Sequence, residues 1–158
     1  MLRIVKITLV VLVAAWGLIG GIKNFADIDG GIGAVQAVMN PPESVGLPDW
    51  QVVTNPILVW IGWLTIPLGK LGAAALCGFG AWRMWKSRTL ESASFNKAKE
   101  YGIAGCGVAI AMLFGGFFVV GEVYFDLWMA PLGDVALPNA FRMIGCIGVI
   151  ALIVAQSD

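Results

Sequence analysis

The chain contains no histidine. It therefore cannot supply a His-ligated haem, a histidine metal triad or a histidine general base. Only 13% of its 158 residues are charged, about half the share usual in a soluble domain. Ten basic and ten acidic side chains cancel, which leaves no basic face for nucleic acid. Cysteine is sparse: Cys77, Cys106 and Cys146 all lie within apolar runs and read as small packing residues, not as a disulfide framework. The patterns G-x-x-x-x-G-K-[ST], C-x-x-C and G-x-S-x-G are missing as well. With them go the usual marks of a nucleotide site, a dithiol centre and a hydrolase elbow.

What the chain has in abundance is apolar length. Hydrophobic residues make up 59% of it, and the mean hydropathy is +0.86. Four runs match the roughly 17 to 25 residues that span a bilayer. They predict helices over about 4–22, 56–84, 101–125 and 139–156. The fold class is an all-α membrane protein, a single four-helix domain over 1–158. The first run carries Arg3 and Lys6 ahead of its apolar stretch, as a leader would. It is long for that role and no A-x-A site follows, so it is expected to be an anchor.

Basic residues set the orientation. Arg83, Lys86, Arg88, Lys97 and Lys99 crowd the connection between the second and third helices, and Arg3 and Lys6 precede the first. The positive-inside rule places both termini and this connection in the cytoplasm. The long first loop, 23–55, is then periplasmic. Within it Asp29 is expected to cap a short amphipathic helix with Ile32, Val35 and Met39 on one face, stopped by Pro41 and Pro42. "VGLPDW" before the second helix and "VALPNAF" before the fourth form a weak internal echo.

Small residues mark expected helix contacts, because close backbone approach drives helices together in lipid. The candidates are Gly17 and Gly21 in a G-x-x-x-G spacing, Gly105, Ala109 and Gly116 on one stripe, and Gly148 on the last helix.

Two charges stand inside the runs. Lys70 falls midway between Trp60/Trp63 and Trp82/Trp85, near the bilayer midplane, where a lysine costs about 2.5 to 3.5 kcal/mol on insertion scales. Small neighbours, Ala74, Cys77 and Ala81, turn its face toward protein. Side chains lean toward the helix N-terminus, so Lys70 leans outward and Glu122, on an oppositely directed helix, leans inward. The two form a candidate intramembrane charge pair. Pro67 removes an N–H, frees the Trp63 carbonyl and is expected to kink the helix.

The stretch "GGFFVVGEVYFDLW", Gly115 to Trp128, together with "VQAVMN" and the four-helix plan, resembles a bacterial family of predicted small integral membrane proteins of unknown function. The resemblance runs over nearly the whole chain. It implies about 160 residues, four helices and the bacterial inner membrane, and no known activity. The family tends to show a His and a Met-Asp pair in the first loop, where Ala37 and Met39-Asn40 stand here.

The expectation from these observations is a non-catalytic accessory or structural subunit of a larger inner-membrane complex, respiratory or photosynthetic. It would contact membrane lipids, without nucleic acid and without a cofactor. One alternative is a small oligomeric transporter or channel component using Lys70 and Glu122. Another is a lipid- or quinone-binding protein, with the glycines of the third helix and Phe117, Phe118 and Phe125 bordering an apolar slot.

Overall fold

Asn55 and Pro56 start the longest helix. The Asn55 side chain accepts a hydrogen bond from the Ile57 N–H at 2.9 Å, and proline stands in the first turn, where its absent N–H costs nothing. The computed structural model describes residues 2–41 and 45–158. Along them run α1 (Leu2–Ala26), α2 (Ile28–Met39), α3 (Pro56–Lys86), α4 (Ser92–Ala98), α5 (Glu100–Leu113) and α6 (Gly133–Ala155). α5 continues as a π-helical segment, Phe114–Tyr124, and a single 3₁₀ turn, Leu127–Met129, precedes α6. Four stretches are long and apolar enough to cross a membrane: Leu2–Ala26, Pro56–Lys86, Ser92–Tyr124 and Gly133–Ala155. The described residues form no strand.

Several boundaries differ from the sequence reading, each for a local reason. α1 runs on past Ile22 to Ala26. α2 is capped by Asp27 rather than Asp29: the Asp27 carboxylate accepts the Gly30 N–H at 3.1 Å. α6 starts at Gly133, six residues before the expected boundary, and carries Pro138 inside it. Pro138 stands in the second turn, where it withholds the N–H that would bond the Asp134 carbonyl. The two halves of the sequence echo therefore differ, with Leu47-Pro48 in a loop and Leu137-Pro138 in α6. α3 continues through Pro67 as one helix. Asp126, at φ 51°, takes the left-handed conformation and separates the π segment from the 3₁₀ turn.

Small residues bring the helices together. A Cβ on Gly17 would stand 2.5 Å from the Lys70 carbonyl oxygen, and one on Gly21 2.7 Å from the Leu71 side chain, so α1 lies directly on α3. α5 meets the other side of α3. There Gly80 abuts the Gly102 backbone, and a Cβ on Gly105 would come within 2.5 Å of Cys77 Sγ. Ala109 is fully buried in the same core, with Ala73, Cys106 and Val10. α6 packs on α5 and touches α1. Gly116 and Gly148 play no such part: a Cβ on either would meet nothing within 4 Å. Gly116 sits where the π segment leaves α3, and Gly148 lies on a face of α6 that no other helix covers.

One end of the bundle is held by a buried polar cluster. Lys6 and Lys99, both at most 2% exposed, donate to the Asp158 carboxylate at 3.0 and 2.9 Å. Both also donate to the Gln156 carbonyl, at 2.6 and 2.7 Å, and Lys99 reaches Asn96 Oδ1. Arg3 bonds the Arg88 and Leu90 carbonyls and lies over the Phe95 ring. The start of α1, the basic connection with α4, and the residues after α6 thus share one end.

Candidate ligand cavity

The opposite end is looser. α5 keeps to α3 as far as Gly69, which faces Met112. Beyond Leu113 the backbone widens into the π segment and turns to pack on α6. π-helical turns often accompany functional sites because the extra residue per turn redirects the chain. The space left between α3 and the π segment is roofed by α2. Gly62 lets Met39 and Val35 of α2 settle onto α3, and the Met39 carbonyl accepts the Val53 N–H at 2.8 Å. Gln51 ties the same loop to the Tyr124 carbonyl at 2.6 Å.

The resulting cavity has a volume of about 390 Å³, toward the small end of ligand pockets. Its roof is Gly31, Ala34, Val35, Val38 and Met39 of α2. α3 gives Gly62, Trp63, Thr65, Ile66 and Lys70, and the far wall is Gly116, Phe117, Val120, Gly121 and Phe125. Asn24, Leu127, Leu132 and Ala136 complete it. Among the described residues, Lys70 is the single ionisable residue of this wall.

Lys70 donates to Asn24 Oδ1 at 2.8 Å. It leans toward the N-terminus of α3, as a helical side chain should. Gly20 makes room for its aliphatic stem, whose Cδ would stand 3.3 Å from a Cβ there. The expected contact with Glu122 is not made. Glu122 is half-buried on the π segment and lies outside the cavity wall, and the ion pairs among the described residues are Lys6–Asp158 and Lys99–Asp158. The reason is the glycine face of α1. It draws Lys70 against α1, while the π segment carries Glu122 away from α3.

Trp63 supplies a second donor. The residue is 1% exposed, and its indole N–H has no hydrogen-bond partner. Phe25 and Trp60 stand edge-on to its ring, both at 5.5 Å, and the N–H lies against Gly31 of α2. Pro67, one turn along, withholds the N–H that would bond the Trp63 carbonyl. Of the residues singled out in the sequence, Val35, Met39, Trp63, Lys70, Gly116, Phe117 and Phe125 meet at this cavity. Asn24 and Gln51 carry no local sequence signal and emerge only from the fold. Among the described residues no group of three or more Cys, Asp or Glu could hold a metal ion.

Four apolar helices of spanning length around a partly apolar cavity define a small multi-pass integral membrane protein. Residues 2–157 match the family described as predicted small integral membrane protein (DUF2165), and the chain belongs to that family. No curated protein and no solved structure matches it.

Proposed function

We propose that this protein is a non-catalytic binding protein of the bacterial inner membrane that holds an amphipathic molecule in the cavity beneath α2. The observation that carries this reading is a cavity whose wall is apolar except at one end, where Lys70 stands within a spanning helix. A membrane-embedded ammonium is expensive and marks a functional site by default. Arg3, Lys6, Arg88, Lys97 and Lys99 gather at the other end, so the positive-inside rule puts that end in the cytoplasm and the cavity toward the periplasm.

The test is purification in mild detergent followed by mass spectrometry of retained small molecules. Wild type should retain an amphiphile at near-stoichiometric amounts, and Ala34→Phe or Ala136→Phe, filling the cavity from opposite walls, should lose it. Equal retention by all three proteins would overturn the reading.

One observation favours the accessory-subunit reading beside it. Phe141, Gly145, Gly148 and Leu152 form an uncovered stripe on α6, and neither glycine meets a neighbour. Lipid gives no reason for glycine there, whereas a partner helix does. A large protein co-purifying in fixed ratio, and lost in Gly145→Leu, supports it. The transport alternative would need a path other than a direct Lys70–Glu122 contact, since Lys70 bonds Asn24.

A further inference from the structure

The chain treats its sheltered ammonium groups in two ways: Lys6 and Lys99 are buried and Lys70 is half-buried. Lys6 and Lys99 share the Asp158 carboxylate. Lys70 has only a neutral amide, Asn24, among the described residues. A cation within a spanning helix and without an anion carries an uncompensated desolvation cost. Among the described residues, the cavity wall holds no carboxylate to offset it. The surface that continues from Lys70 is apolar: Ile66, Phe117, Val120 and Phe125. Two turns nearer the N-terminus of α3, Trp63 lines the same cavity, and its indole N–H, packed against Gly31, has no acceptor. A cationic donor at one end of an apolar wall describes the complement of an oxyanion head on a hydrocarbon tail.

Resting on the binding reading above, we infer that the occupant is an acidic acyl amphiphile whose carboxylate or phosphate head pairs with Lys70 and whose tail lies along the π-segment wall. The Asn24 amide holds the ammonium toward the cavity, and its neutrality leaves the positive charge to the ligand.

The experiment uses the full chain in nanodiscs of zwitterionic lipid. Binding of oleate is compared with that of oleyl alcohol, its uncharged counterpart. Oleate should bind about tenfold or more tightly, the scale of one charge-assisted hydrogen bond. Lys70→Arg should keep this preference and Lys70→Met should abolish it. Asn24→Asp should also abolish it, because a carboxylate built into the protein satisfies Lys70 in place of the ligand. That variant keeps the side-chain shape at Asn24, so its lost preference is not a folding defect. Oleoyl lysophosphatidate against oleate distinguishes the two oxyanion heads. Inorganic phosphate should not compete with either. The inference is overturned if wild type binds acid and alcohol equally, if the preference survives in both Lys70→Met and Asn24→Asp, or if phosphate alone competes. In those cases amphiphile binding itself still stands or falls on whether oleyl alcohol is held. Failure to bind any of the tailed probes sinks the binding reading with it.

Discussion

The ammonium of Lys6 and the carboxylate of Asp158 stand 3.0 Å apart across 152 positions of sequence. Lys99 approaches the second oxygen of the same carboxylate at 2.9 Å. One acid thus compensates two cations that the bundle otherwise buries. Removing it leaves both uncompensated. Asp158→Asn should therefore cost about 2 kcal/mol, less than for a wholly dry ion pair because this cluster lies at the end of the bundle. A lowered unfolding midpoint in detergent checks this, and Asp158→Glu should recover part of it.

The same cluster sets an acid limit. Burial alone would raise the Asp158 carboxyl pKa, but hydrogen bonds and charge from Lys99 and Lys6 outweigh it and hold the group below its ordinary 3.8. A carboxyl whose folded value is depressed contributes stability that is fully present above the unfolded value and is lost as pH falls through the folded one. Thermal stability of the wild type should be flat from pH 7 to about 5 and decline below 4. Asp158→Asn should lack this component of the decline.

Gly80 and Gly102 meet backbone to backbone where α3 crosses α5. Gly80→Ala should destabilise by about 1–3 kcal/mol, since the atom it meets is main chain and cannot rotate away. Gly78→Ala, two residues earlier with nothing within 4 Å of the added methyl, is the control and should be neutral or slightly stabilising. Denaturant titration of the two variants in micelles makes the comparison.

A methyl group on Gly31 would run into the Trp63 indole nitrogen. Gly31→Ala should lift α2 from α3 without disturbing the remainder of the bundle. Hydrogen exchange reads this directly: amides of α2 should exchange about tenfold faster, consistent with about 1.4 kcal/mol of lost local protection, while those of α5 are unchanged.

Orientation is testable in whole cells. In a chain with its native thiols replaced, Lys97→Cys should resist a membrane-impermeant maleimide and Trp50→Cys should react, as the charge distribution requires. The reverse pattern would place the cavity on the cytoplasmic side.

Apolar length and tryptophan belts made the four spanning stretches legible, and Asn55-Pro56 announced the start of α3. Contacts at Gly17, Gly21 and Gly105 follow patterns visible along single helices. What escaped the sequence was pairing between distant positions. Asn24 reads as loop when α1 is ended at Ile22, so the outward lean of Lys70 points instead to the nearest acid, Glu122. The π segment has no periodicity to reveal it, because apart from Glu122 and Tyr124 its residues are apolar on every side. The helix 92–98 is short and polar, and only the burial of Phe95 and Ala98 against the bundle explains it. Asp158 gives no sign of its role until Lys6 and Lys99 are seen to converge on it.

Order of synthesis gives that convergence a further meaning. Asp158 follows α6 and is translated after every helix it joins. Until it emerges, Lys6 and Lys99 face each other with no acid between them, so the start of α1 and the α4–α5 connection repel. The basic end of the bundle closes only when α6 has been threaded through the bilayer and its tail has returned to the side where Lys6 waits. A chain without Asp158, or with its last helix misoriented, would leave Lys6 and Lys99 without the acid they share.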